Sequence, residues 1–286
     1  MSETERPWAL QILRTPADSI RLLVSVRDRT EASAALDGGA DLIDAKDPST
    51  GALGAVAEDA LHAIASVVGR ARPLSAALGD ATDPPAIERL ACVYAAAGAA
   101  LVKVGFAGVA SAERVATLIA AAVRGARAGS EGRSGVVAVA YADADPSASI
   151  VPTALLDAAA RAGASGVLLD TADKNGLRLP SLISPTMLAS WVAEAHEAGL
   201  FVALAGRLTA ADFPLVRSIG ADVAGVRGAA CDDGRNGRVS AVRVRNLRSA
   251  CNDSYVGSGF SRTQDAVSGF SQPPAPRATP RRNPQG

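Results

Sequence analysis

The chain has 286 residues, and its 29 lysines and arginines balance 29 aspartates and glutamates, so it presents no basic field suited to nucleic acid. No apolar run reaches membrane-spanning length, and the start MSETERP lacks the pattern of a signal peptide. Hydrophobic residues reach 48% and aromatics only 3%, a composition for a core of Ala, Val and Leu, which helices packed on a parallel sheet favour.

Residues 1–20 have no clear period and read as a lead-in. From there one rhythm repeats. Residues 22–26 (LLVSV) are a strand, followed by cap candidates Asp28 and Thr30 and a helix that stops at Gly38-Gly39. A second short apolar strand covers 40–43. Period-2 alternation puts Asp44 and Lys46 on one face at its C-terminal end. The glycine-bearing loop 47–54 follows, then a helix over 58–68.

The third strand is 73–78, with a helix over 84–97 that starts on proline, tolerated in a first turn. The fourth is 100–104, with a helix from 111 to about 126. The fifth is 135–141, with a helix over 153–162. The sixth is 166–170, followed by a loop and a helix over 185–198. The seventh is 201–205, with a helix over 209–219. The eighth is 222–227, and a last helix covers roughly 240–249. Both histidines, His62 and His196, fall in helical patterns as ordinary helix residues.

Eight strand–helix units in succession predict a (β/α)8 TIM barrel over residues 21–251. Glycine before several strands supplies the helix stops. The alternative, an open doubly wound sheet, is disfavoured because no GxGxxG turn follows the first strand. From residue 252 the chain turns to Ser, Gly, Pro and Arg, too poor in apolar area to offset ordering entropy, and reads as a disordered tail to 286. Three widely spaced cysteines, Cys92, Cys231 and Cys251, form neither a metal pattern nor a disulfide framework, so a reduced cytoplasm is the expected setting, with no metal and no cofactor.

Arginine carries almost all the positive charge. The sequence has only three lysines, Lys46, Lys103 and Lys174. Arginine stays charged at any working pH, whereas a buried lysine can lose its proton and act as a base or an imine-forming nucleophile. In a barrel all three lie at the C-terminal ends of strands, at one mouth, together with Asp44 and Asp170. Buried ion pairs stabilise poorly against apolar substitutes, so a purely structural role explains the cluster badly. Crowded ammoniums and partial desolvation lower the pKa of at least one lysine. The loops after strands seven and eight add Gly206-Arg207 and Arg227-Gly228 where such barrels often hold phosphate. The residues alone therefore point to aldolase-like or isomerase-like chemistry on a small phosphorylated carbonyl compound.

The segments LLVSV (22–26), GGADLIDAKDPSTGALGA (38–55), LVKVG (101–105) and LLDTADKNG (168–176) resemble the (5-formylfuran-3-yl)methyl phosphate synthase family of methanofuran biosynthesis. The resemblance spans about residues 21–245. It implies a barrel that condenses two glyceraldehyde 3-phosphate molecules with loss of phosphate and water. It implies Lys46 as the Schiff-base lysine and Lys103 as proton acceptor, with Asp44, Asp170 and Lys174 assisting proton transfer. Two departures are a valine after Ser25, where proline is expected, and the C-terminal tail. The expected partners are the phosphorylated substrate and further copies of the chain in a homo-oligomer, with neither nucleic acid nor membrane. Another class I aldolase, a phosphosugar isomerase and a non-catalytic phosphate binder stand as alternatives.

Overall fold

The structure, a computed structural model, describes Leu13 and residues 20–252. The expected tail, and the lead-in apart from Leu13 and Ile20, lie outside the described residues. Eight parallel strands close a barrel in sequence order. They are β1 (Arg21–Val26), β2 (Leu42–Ala45), β3 (Leu74–Asp80), β4 (Leu101–Gly105), β5 (Gly135–Tyr141), β6 (Gly166–Asp170), β7 (Phe201–Leu204) and β8 (Val223–Val226). The ring shuts where Arg21 to Val24 of β1 pair with Val223 to Val226 of β8. The helices are α1 (Arg29–Asp37), α2 (Glu58–Val68), α3 (Pro84–Ala96), α4 (Ala112–Ser130), α5 (Pro152–Arg161), α6 (Leu179–Leu182), α7 (Pro185–Glu197), α8 (Phe213–Ser218) and α9 (Ala241–Asn252).

Strand parity divides the apolar residues into two cores. Outward residues such as Leu22, Val24, Ile43, Val102 and Val104 pack under the helices in one continuous layer. Inward residues Leu23, Leu42, Leu101, Val137, Leu168, Phe201 and Val223 fill the barrel, and Leu13 is buried among them. Leu42, Leu101, Phe201 and Val223 are each the first residue of their strand, so this plug closes the N-terminal end and leaves the other end open. Each fully buried Leu, Val or Phe contributes about 1.5–3 kcal/mol, so the plug is a stability element rather than part of a pore. Gly166 is required in it, because a Cβ there would stand 2.6 Å from the ring of Phe201.

Most strands and helices fall within a residue or two of where the sequence places them, β2 (Leu42–Ala45) lies two residues later than the expected 40–43, and three further differences are instructive. Helix α4 continues to Ser130, beyond the expected end near 126. Its interior glycines are the reason: a Cβ on Gly125 would lie 1.9 Å from the Glu88 carbonyl, and one on Gly129 2.0 Å from that of Cys92. These glycines let α4 lie directly on α3, and the contact offsets a helix-propensity cost of about 1 kcal/mol each. The stretch after β7 is a 3-10 turn (Ala210–Asp212) leading into the short α8, not one long helix. Finally, the loop after β6 contains the short helix α6, joined to the β7 loop by a hydrogen bond from Leu179 N to Gly206 O of 3.0 Å. Both His62 and His196 sit on helices, α2 and α7, as expected. No helix among the described residues is long and apolar enough to cross a membrane.

Candidate active site

The open end of the barrel holds a cavity of about 410 Å³. Its floor is apolar, set by Leu23, Leu42, Leu101 and Val137, and its walls carry Lys46, Lys103, Asp170 and Lys174. All three lysines of the chain thus reach one space.

Asp44 projects inward from β2 and is fully buried. A buried carboxylate needs donors, and it has three. Lys103 Nζ of β4 lies 2.6 Å from Oδ2, Ser25 Oγ of β1 donates to the same oxygen at 2.8 Å, and Ser75 Oγ of β3 donates to Oδ1 at 2.7 Å. The carboxylate and the Lys103 ammonium are therefore fixed by strands on both sides.

Asp170 ends β6 and is also buried. Its Oδ1 accepts from Lys174 Nζ at 2.6 Å and from the backbone N–H of Thr171 at 2.8 Å. Burial by itself would raise its pKa, but Lys174 and Lys46 outweigh burial and hold Asp170 below the ordinary carboxylate range. The loop carrying Lys174 is held in turn by Asp143, whose carboxylate accepts from the N–H groups of Ala172 (2.6 Å) and Asp173 (2.9 Å).

Lys46 follows β2 directly and is only 5% exposed. Its nearest carboxylate oxygen is Asp170 Oδ2, at 3.8 Å, too long for a hydrogen bond. Each of the other two ammoniums has an anion at 2.6 Å. Burial pushes the Lys46 pKa down to about 7, and repulsion from Lys103 and Lys174 adds to that, against partial support from Asp170 and Asp44. Near neutrality the site thus holds one amine that is substantially unprotonated beside two fully paired ammoniums. That combination can form an imine and move protons around it.

Across the mouth, the β7 loop carries Gly206 and Arg207, and both line the cavity. Gly206 has φ +96° and Arg207 follows at φ +59°, so two successive residues occupy the left-handed region. The second costs about 1–2 kcal/mol for a residue with a Cβ, the kind of strain that functional loops retain. It turns the exposed Arg207 side chain to the cavity rim.

Arg227 and Gly228 of the β8 loop also line the cavity, but Arg227 is bound up within the protein. It is buried, and its Nη1 donates to Ser25 O (2.9 Å) and Glu31 Oε2 (2.8 Å). Nη2 donates to Glu31 Oε1 (3.3 Å) and Gly237 O (3.3 Å), and Nε to Arg235 O (2.9 Å). All five N–H donors are engaged, so in this arrangement Arg227 fastens the β8 loop to α1 and has no donor left for a phosphate.

Sequence reasoning passed over Ser25 and Ser75 as site residues, although each is a buried hydroxyl with apolar residues on both sides in its strand, which was a usable signal. It also missed Asp143, Arg178 and Arg235, whose loops reach the mouth only through the fold. Arg178 lines the cavity while paired to Asp212 at 2.9 Å, which ties the β6 loop to the β7 loop.

The family model described as 4-HFC-P synthase matches residues 22–248. A (5-formylfuran-3-yl)methyl phosphate synthase of Methanopyrus kandleri is 41% identical over 234 residues, covering 80% of this chain and 98% of the relative. One of the same name from Methanocaldococcus jannaschii is 40% identical over 233 residues, covering 80% and 99%. Among solved structures, a 3-hexulose-6-phosphate synthase superposes with a TM-score of 0.54 at 22% identity over 81% of this chain and 99% of that one, a likeness of fold. The match over nearly the whole barrel, with the paired lysines and aspartates standing inside it, means that the chain belongs to the 4-HFC-P synthase family.

Proposed function

We propose that this protein is a lyase that condenses two molecules of glyceraldehyde 3-phosphate into (5-formylfuran-3-yl)methyl phosphate, through an imine on Lys46, for methanofuran-type cofactor biosynthesis. The observation that carries this reading is the state of Lys46: a cavity-facing amine with a pKa near 7 and no carboxylate within hydrogen-bond reach. Lys103 and Lys174, each clasped by an anion at 2.6 Å, are poor nucleophiles by comparison.

Lys46 Nζ adds to the aldehyde carbon of one triose phosphate, and loss of water gives an iminium. Asp170 stabilises that cation as it stabilised the ammonium. Lys103 gives its proton to the hydroxyl that leaves as water when the iminium forms, and the neutral amine so produced accepts the proton of the adjacent C–H that the iminium acidifies, its regained charge balanced by Asp44. The resulting enamine expels phosphate as the C–O bond at its terminal carbon breaks, and that carbon, after loss of a further proton, attacks the carbonyl carbon of the second molecule in its ketose form and makes the new C–C bond. Ring closure and hydrolysis of the imine then release the furan, with one phosphate and two waters lost from the two substrates together. The atoms balance without oxidant or reductant. Gly206, Arg207 and Gly228, which all line the cavity, hold a phosphate group at the rim.

Incubation with glyceraldehyde 3-phosphate alone, followed by mass analysis, tests the reaction, and borohydride reduction tests the imine. The synthase reading requires a furan aldehyde phosphate and a reduced adduct on Lys46. An adduct with an open-chain product would identify an aldolase instead. The absence of any adduct would remove the imine mechanism.

A further inference from the structure

Four arginines line the cavity, and their donors are used differently. Arg227 has all five engaged within the protein, and Arg178 is held by Asp212 and Thr209. Arg207 stands at the rim on the β7 loop. Arg235, half-buried on the β8 loop, makes a single side-chain hydrogen bond among the described residues, from Nη2 to Gly51 O at 3.1 Å. The residue also lines the cavity.

The placement of Arg235 is built rather than incidental. The β8 loop doubles back between Cys231 and Val239, which form an antiparallel bridge. Arg227 grips the loop at two carbonyls, those of Arg235 and Gly237. Gly237 lies so close to the Asp232 carbonyl that a Cβ would be 1.6 Å from it. A buried arginine thus positions an open one. The contact with Gly51 also fixes the direction of the side chain. Gly51 belongs to the loop after β2, the strand that leads into Lys46, whereas Arg207 belongs to β7, and β8 and β1 lie between those two strands. Partial burial lowers the Arg235 pKa, and Asp170 is the carboxylate that most opposes that effect, as expected for a charge turned inward over the mouth.

We infer that Arg235 forms a second anion site, on the β2 side of the mouth and separate from the Gly206–Arg207 site. This rests on the reading above in one respect: the anion it holds is the phosphate of the second triose phosphate. Two phosphorylated substrates must occupy one cavity together, and Arg207 on the β7 loop and Arg235, anchored to the loop after β2, are two guanidiniums that can each hold one phosphate.

Crystals soaked in tungstate, a phosphate stand-in visible by anomalous scattering, test the site without turnover. The wild type should show two peaks, one at Gly206 and Arg207 and one between Arg235 and Gly51. Arg235→Gln should lose only the second and Arg207→Gln only the first. A single peak shared by both arginines, or a second peak that survives in Arg235→Gln, overturns the inference. Arg235→Lys guards against loop collapse: it keeps the charge and should keep the peak, and its loss there would mean that the loop contact alone mattered. In solution, Arg235→Gln should raise KM for glyceraldehyde 3-phosphate roughly ten- to a hundred-fold, the usual effect of removing a charged hydrogen-bond donor. Two tungstate peaks without any turnover of glyceraldehyde 3-phosphate would keep the anion site and sink the synthase reading.

Discussion

Replacing Lys46 by methionine should stabilise the protein below neutral pH while abolishing imine formation. The ammonium is 5% exposed and has its nearest carboxylate oxygen at 3.8 Å, so protonating it in the fold is unfavourable. Its pKa falls from 10.5 to about 7. At 1.36 kcal/mol per unit this corresponds to at most about 5 kcal/mol of folding stability lost when the group is charged. The sign follows from proton uptake. Between pH 7 and 10.5 the unfolded chain holds the proton and the native state does not, so stability rises with pH across that window. Below pH 7 the penalty is complete. Methionine has similar length and no charge, and Asp170 keeps Lys174 as its counter-ion. Urea unfolding of wild type and Lys46→Met should therefore differ by several kcal/mol at pH 6, in favour of the variant, and by little at pH 10. Comparing the two proteins at each pH cancels the other titrating groups. A difference independent of pH, or one that grows toward pH 10, would refute a lowered Lys46 pKa. Borohydride trapping of the wild type should rise through a half-maximum near pH 7 in step with it.

Other expectations follow from the same geometry. Lys103→Ala should still trap substrate on Lys46 but form furan about a hundred-fold more slowly or worse, the usual contribution of a general base. Trapping that fails in this variant and persists in Lys46→Ala would exchange the two roles. Arg207→Ala should raise KM for a phosphorylated substrate far more than for phosphate-free glyceraldehyde, and equal effects on both would remove Arg207 from the site. Gly125→Ala should lower the melting temperature although alanine favours helices, because the added Cβ meets the Glu88 carbonyl at 1.9 Å. A higher melting temperature would show that α3 and α4 can separate at little cost.

What could be read from the chain depended on distance along it. The Asp44–Lys46 pair was legible because strand parity is a local rule, and β5 and β6 have the expected bounds because short apolar runs between turn residues leave little choice. The meeting of the lysines was legible at one remove, since eight units imply a closed ring and strand ends imply a shared mouth. Arg227 was not. Its partner Glu31 lies 196 positions away, and only ring closure between β8 and β1 brings them together. From the sequence, Arg227 and Arg207 look equivalent, each an arginine beside a glycine after a late strand. The fold buries one in a web of acceptors and leaves the other at the rim. The glycines of α4 depend on distant structure in a related way: only the neighbouring helix explains why they stand inside one.

The charges at the mouth also constrain where phosphate can sit. Asp44 and Asp170 balance two of the three lysines, and the excess positive charge is part of what keeps Lys46 near neutrality. A phosphate dianion placed beside Lys46 would stabilise its ammonium and raise its pKa, which removes the nucleophile that the site has prepared. Under the proposed reaction, the substrate would therefore present its aldehyde to Lys46 while its phosphate is neutralised elsewhere. Arginines on the β7 and β8 loops would meet that requirement, because a guanidinium bound to a phosphate cancels most of its field at a lysine farther down the barrel. The same argument explains the choice of residue at each place. The rim needs permanent charge, which arginine supplies at any working pH. The interior needs a group whose charge can be removed by burial, and lysine is the cation that allows it.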